Sequence, residues 1–191
     1  MIHLRKPSIQ AVRLFLAIQS ELSLNYAAVG ATASQPPDGF AVDHTRICLG
    51  EGECVFRAAQ LAFANWEQFR LTWVELWSPD TPLRPGEIVS VLARVGGIWW
   101  LNACRIVYTF DEKGASHRYG FAYGTLSGHV ESGEERFMIE WDHETDQVWY
   151  DIYAFSRPKH ILAKLGYPLT RRTQERFRDD SIVAMMSYVH S

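Results

Sequence analysis

The sequence is short of cysteine, of basic excess and of long apolar runs, and each shortage removes a class of protein. Its three cysteines, Cys48, Cys54 and Cys104, have no CxxC spacing. An odd number so placed fits neither a disulfide framework nor a zinc cluster, and reduced, mostly buried thiols in a cytoplasmic protein are the expectation. Lys and Arg total 19 against 22 Asp and Glu, a formal net charge of −3. Phosphate backbones are bound by clustered cations, so this balance gives no reason to expect a nucleic-acid partner. The apolar stretch at 11–18 is interrupted by Arg13 and followed by Gln19, Ser20 and Glu21, where a signal peptide needs small residues. It is too short to span a bilayer and reads as an amphipathic helix. Internal repeats and low-complexity segments are lacking too.

Aromatics are plentiful: 7 Trp, 8 Tyr and 10 Phe among 191 residues that are 47% apolar. That is enough to build a sizeable core, and aromatics favour strands and pocket walls. The length fits one domain, here divided into an N-terminal helix and connector at 1–39 and a folded unit at 40–191.

Pro7-Ser8 offers a helix start, with Ser8 as cap, and Val12, Phe15, Leu16 and Ile18 recur near helical spacing up to about Leu24. The Gln35-Pro36-Pro37-Asp38-Gly39 stretch is a connector. A strand at 40–49 and a helix at 54–69, with Val55, Ala58, Ala59, Leu61, Ala62 and Trp66 as its apolar face, come next. The period then changes to two. Strands are expected at 72–77, 87–95, 98–110, 118–126, 136–141 and 148–155, joined by turns such as Gly96-Gly97 and Asp111-Glu112-Lys113-Gly114. Short connections imply an antiparallel meander. Pro158 is expected to begin a helical region that bends near Gly166-Tyr167-Pro168 and then runs to about Tyr188.

The fold class is therefore α+β: a curved antiparallel sheet around a long C-terminal helix, with an extra N-terminal helix. This order resembles the helix-grip layout of the START and birch-pollen-allergen superfamily. Both faces of several strands carry large apolar groups, so one face must meet a helix or enclose something. A cavity there would hold a small apolar or amphipathic ligand. Trp100, Tyr119, Tyr123, Trp141 and Tyr153 are wall candidates, with Arg94, Arg105 or Asp151 as polar anchors. Asp151 reads either as a solvent-face charge or as half of a buried pair.

Several motifs fall short of chemistry. Leu49-Gly50-Glu51-Gly52-Glu53-Cys54-Val55 lies between a strand and a helix, but it lacks the third glycine of a dinucleotide fingerprint. Its acids would also repel a pyrophosphate. Ser127 has only one of the glycines of a nucleophile elbow. His129 and Glu131, with Glu134 or Glu135 near, could hold a divalent ion or act as acid and base. The plainer reading is a glycine-rich bend with charges on a solvated strand edge. No metal and no cofactor is expected.

Three phrases together resemble one family: Asn25-Tyr26-Ala27-Ala28-Val29-Gly30-Ala31-Thr32, the run 123–137, and Ala154-Phe155-Ser156-Arg157-Pro158. They are similar to the domain-of-unknown-function family nineteen-ninety of bacteria and plants. The family has no agreed activity, so the resemblance implies only motif positions: Tyr26, Tyr123, Thr125, His129, Glu131, Glu134, Ser156 and Arg157. Taken from the residues alone, Ser156 is a helix cap and Pro158 the first helical residue.

The leading expectation is a binding module. The alternative is a cyclase- or hydratase-type enzyme using His129, Glu131 or Asp151 as acid or base. A third reading is a non-catalytic scaffold docking through its N-terminal helix. Ligand identity and oligomeric state are not legible.

Overall fold

The Ser8 hydroxyl accepts from the Ala11 N–H at 3.2 Å and starts α1 (Ile9–Ser20). In the computed structural model, which describes residues 1–159 and 167–191, with side chains of the final helix from Thr170 onward, α1 is preceded by a two-residue strand, β1 (Ile2–His3). The connector then leads to β2 (Ala41–Glu51) and α2 (Gly52–Ala64). Six strands follow: β3 (Val74–Trp77), β4 (Ile88–Val95), β5 (Ile98–Lys113), β6 (Ser116–Thr125), β7 (Glu131–Asp142) and β8 (Gln147–Pro158). The chain ends in α3 (Tyr167–Val189).

The sheet is antiparallel throughout, in the order β2-β8-β7-β6-β5-β4-β3, with β1 on β5. From β3 to β8 each strand pairs with its successor in sequence, as short hairpin connections require. β2 closes the order by pairing with β8, and it reaches that edge from the N-terminal side of the chain. The fold is thus α+β, a sheet gripping a C-terminal helix.

Two helices share the inner face. α2 buries Phe56, Ala59, Ala62 and Phe63, a stripe at helical spacing, against Phe121, Phe137, Ile139 and Tyr150 of the sheet. Each such aromatic stabilises the fold by roughly 1.5–3 kcal/mol through burial. α3 lays Phe177, Ser181 and Met185 on the same core, and the Ser181 hydroxyl meets the Tyr150 hydroxyl at 2.8 Å. On the outer face, α1 packs Val12 and Phe15 over Leu92, Leu101, Ala103 and Leu126.

Three expectations need correction. The helix expected at 54–69 stops at Ala64. Trp66 takes a left-handed φ of 57° and turns its indole inward to donate to the Thr81 carbonyl at 2.9 Å, and a 3-10 turn, Glu67–Phe69, follows. β7 begins at Glu131 rather than Arg136, so the acidic run is strand and not bend. Ser156, Arg157 and Pro158 extend β8 and do not cap a helix. Pro158 is tolerated as the last strand residue, where its missing N–H breaks no interior ladder. The helical region expected beyond Lys159 and the bend at Gly166 lie outside the described residues. Pro168 sits in the first turn of α3, where no N–H is needed.

Candidate functional site

A cavity of about 280 Å³ lies between the inner face of the sheet and α3. It occupies the part of that face that the aromatics of α2 leave open. One wall is apolar, from Val91, Ala93 and Val95 of β4, Val74 of β3, and Trp73. Phe69 and Phe177, 5.2 Å apart between ring centroids, close it toward the core. The opposite wall is polar and belongs mainly to β7 and its preceding turn.

Strand alternation decides which β7 groups enter. Phe137 and Ile139 face the inner core, so Glu135, Gly133 and Glu131 share their side. The Tyr123 hydroxyl donates to Glu135 Oε2 at 2.7 Å. Gln174 of α3 donates its amide to Glu131 Oε1 at 2.8 Å and to the Ser156 hydroxyl at 3.1 Å. Removal from bulk water raises both carboxyls to about 7, against the opposing hydrogen bonds from Gln174 and Tyr123. Both groups therefore change charge near neutral pH.

His129 also lines the cavity, and its Nδ1 accepts the Glu131 N–H at 3.0 Å. That bond makes Nε2 the protonated nitrogen of the neutral ring. Burial, with the chain's N-terminal ammonium nearby, drives its pKa down to about 3. The ring is a fixed neutral donor and is poorly suited to take a proton. At the α3 edge, Arg171 makes two hydrogen bonds of 2.6 Å to Asp43. Arg178 lies 3.3 Å from the same carboxylate. These guanidiniums hold the Asp43 carboxyl below its usual range, the Arg171 hydrogen bonds contributing most.

The outer face of β7 has separate business. The Glu134 carboxylate is buried and accepts from the Tyr26 hydroxyl at 2.6 Å, the Gly30 N–H at 2.8 Å, the Thr32 N–H at 3.0 Å and the Thr32 hydroxyl at 2.5 Å. Gly124, opposite Glu134 in the register, makes room for this: a Cβ there would come within 2.0 Å of Tyr26 Oη. The connector at 25–33 is thereby stitched onto the sheet. Thr125 joins the two faces. Its side chain donates to Asn25 Oδ1 at 2.6 Å, while the residue borders the cavity.

The sequence-derived candidates thus divide. Trp100, Tyr123, Thr125, His129, Glu131 and Ser156 line the cavity. Glu134 borders its floor, but the carboxylate is consumed on the other side. Asp151 lies on the outer face, bound to Arg136 at 2.9 Å and His44 at 2.7 Å, so it is no cavity anchor. Tyr153 stacks beside His44 and Arg136 there. Arg94 is exposed over Trp99, and Arg105 binds the Ser20 carbonyl at the end of α1. Tyr119 packs against Phe63, and Trp141 against Phe56, in the filled part of the inner face. Arg157 covers the Phe40 ring outside. Of the two carboxylates weighed beside His129 and Glu131, Glu134 is committed to the opposite face and Glu135 faces the cavity. Among the described residues no three His, Cys, Asp or Glu side chains converge as ligands.

The sequence reading named Glu135 only as an alternative to Glu134 beside His129 and Glu131, and it passed over Asp43, Gln174, Phe177 and Arg178. The parity of β7 could have chosen Glu135 over Glu134, since Glu135 alternates with Phe137, Ile139 and Trp141. The stripe Gln174, Phe177, Ser181, Met185 could have found the inner face of α3.

A curved antiparallel sheet, a gripping helix and a cavity between them define a helix-grip protein. The family model described as Domain of unknown function (DUF1990) matches residues 25–184, and the chain belongs to that family. A UPF0548 protein of Dictyostelium discoideum is 35% identical, covering 98% of this chain and 95% of its own. A UPF0548 protein of Deinococcus radiodurans is 35% identical, with 92% of each chain covered. Among solved structures, a hypothetical protein from Helicobacter pylori aligns with a TM-score of 0.52 at 11% identity, covering 87% of this chain and 96% of its own. That likeness concerns the fold alone.

Proposed function

We propose that the protein binds a small apolar or amphipathic molecule in the cavity between the sheet and α3. The observation that carries this reading is the cavity itself: about 280 Å³, walled on one side by aliphatic and aromatic groups and on the other by a few placed polar groups. Such a balance is what small-molecule sites use, area for affinity and a handful of hydrogen-bonding groups for orientation. The N-terminal helix is a smaller part of this reading. Its inner face is committed to the sheet, although Leu14 and Ile18 remain 64% and 52% exposed on the other side.

Native mass spectrometry of protein purified without detergent tests the proposal. A bound small molecule is expected on the wild-type chain. It should be absent from Ala93→Trp, which fills the apolar wall, once circular dichroism has shown that variant to be folded. Identical spectra for the two proteins would reject the reading.

Glu135 supports a second reading, acid–base catalysis. A carboxyl that titrates near 7 beside an apolar cavity can exchange a proton at physiological pH. Of the acid–base candidates read from sequence, only Glu131 remains suited, because Asp151 faces away and His129 is held neutral. Recovering the bound molecule after incubation with wild type and with Glu135→Gln separates catalysis from carriage. A chemical change made by wild type alone would establish an enzyme.

A further inference from the structure

Among the described residues, one carboxyl that faces the cavity has an oxygen without a donor, and that oxygen says what kind of ligand the cavity suits. On the α3 side, Arg171 and Arg178 both sit on the Asp43 carboxylate, at 2.6 Å and 3.3 Å. Among the described carboxyls, both guanidiniums make their direct contacts with Asp43, while Arg171 acts on Glu131 and Arg178 on Glu135 only at longer range. Glu135 receives one neutral hydrogen bond, from Tyr123 to Oε2. Among the described residues no donor reaches its Oε1. The other titratable groups that face it are Cys104 of β5 and Tyr150 of β8 (both held protonated by burial), with Glu131 further along β7 and Arg178 on α3. Arg178 acts on Glu135 from a distance, as Asp43 does with the opposite sign, and among the described residues no cation makes a direct ion pair with Glu135.

From this we propose that the ligand is an amphipathic organic cation, with an ammonium group seated on the Glu135 carboxylate and an apolar chain along Val91, Ala93 and Val95. The inference rests on the binding function proposed above and narrows it to a class of ligand. An ammonium supplies N–H donors to the unpaired oxygen and brings a positive charge into direct contact with the carboxylate. The rings of Phe69, Tyr123 and Phe177, all on the cavity wall, offer π faces to the same charge. An anionic head group would meet the ionised forms of Glu131 and Glu135 with like charge, and an alcohol would bring no charge to them.

Three probes of one chain length test this: octylamine, octanol and octanoate, titrated calorimetrically into the wild-type protein near pH 6.5. Octylamine should bind at least about tenfold more tightly than octanol, because its hydrogen bond to the carboxylate is charge-assisted. Octanoate should be the weakest. Amine binding should also release protons, seen as a dependence of the heat on buffer ionisation enthalpy, because an incoming cation lowers the pKa of a carboxyl that is still largely protonated. Glu135→Gln should erase the preference for the amine over octanol. If that variant does not fold, the wild-type ranking and the proton release still decide the matter. Octanol binding as tightly as the amine, octanoate binding most tightly, or no proton release would overturn the ligand class while leaving a cavity that binds. Failure of all three probes, with Ala93→Trp indistinguishable from wild type, would remove the binding function as well.

Discussion

Glu134 and Glu135 are neighbours on one strand and live in opposite conditions. Glu134 faces outward, yet it is buried beneath the connector and accepts four hydrogen bonds from Tyr26, Gly30 and Thr32. Glu135 faces the cavity and is raised to about 7 for want of solvation. The difference comes from the pleat, which sends successive side chains to opposite faces, and from what each face meets. The outer face has received a segment whose donors are placed to satisfy a carboxylate. The inner face has been left with acid in excess of donors. Under-solvated acids of that kind cluster at functional sites, whereas the saturated carboxylate ties the connector to the sheet.

Glu134→Ala should break the comparison most severely. It strips a buried network of its acceptor and leaves the Tyr26 hydroxyl and two backbone N–H groups unpaired, while the Thr32 hydroxyl keeps only its bond with the Tyr108 hydroxyl. The expected loss is about 3–5 kcal/mol, read as a lower urea midpoint. A midpoint close to wild type would mean that the connector is not a stabilising part of the fold. Gly124→Ala attacks the same network from beneath, because the added methyl would occupy the position of Tyr26 Oη. Displacing the tyrosine should cost about 2–3 kcal/mol by overpacking and by the lost bond. The two losses should fall short of additive in the double variant, since both act through Tyr26 and Glu134.

Much of the fold could be read in advance, and the site only in part. Alternation located β4, β5 and β6 within a few residues, and the Ser8 cap and its helix followed from local chemistry. β7 was misplaced at its start because Glu131, Ser132, Gly133, Glu134 and Glu135 look like a solvated bend. What makes them a strand is distant: the partners of Glu134 stand 102 to 108 residues away along the chain. Local patterns carry no record of such donors. The face of Asp151 was open for a similar reason, since His44 and Arg136, which secure it outside, meet it only through strand pairing. The wall aromatics divided between cavity and packing according to where α2 sits. Tyr119 and Trp141 meet its phenylalanines and Tyr123 does not, and that division depends on helix placement, which periodicity does not encode.

The smallest effect isolates the inner carboxylate by its pH dependence. Glu135 titrates near 7 in the folded chain against an ordinary carboxyl value of 4.5. Below the ordinary value both states are protonated, and the stability that the raised pKa contributes is present in full. Between about 4.5 and about 7 the unfolded chain gives up its proton first, so stability falls as pH rises; above that window the contribution is gone. Glu131 behaves in the same way and in the same range. With allowance for the solvent the cavity admits, each group should account for about 1–2 kcal/mol of this decline. Glu135→Gln should therefore flatten, by about half, the slope of unfolding free energy against pH in this window. It should equal or exceed wild type in stability at pH 8, where the wild-type carboxyl must be held ionised away from bulk water. The measurement is a set of urea titrations from pH 5 to pH 8. An undiminished slope in the variant would mean that Glu135 is solvated like a surface acid, and the contrast with Glu134 would then reduce to a difference in hydrogen bonding alone.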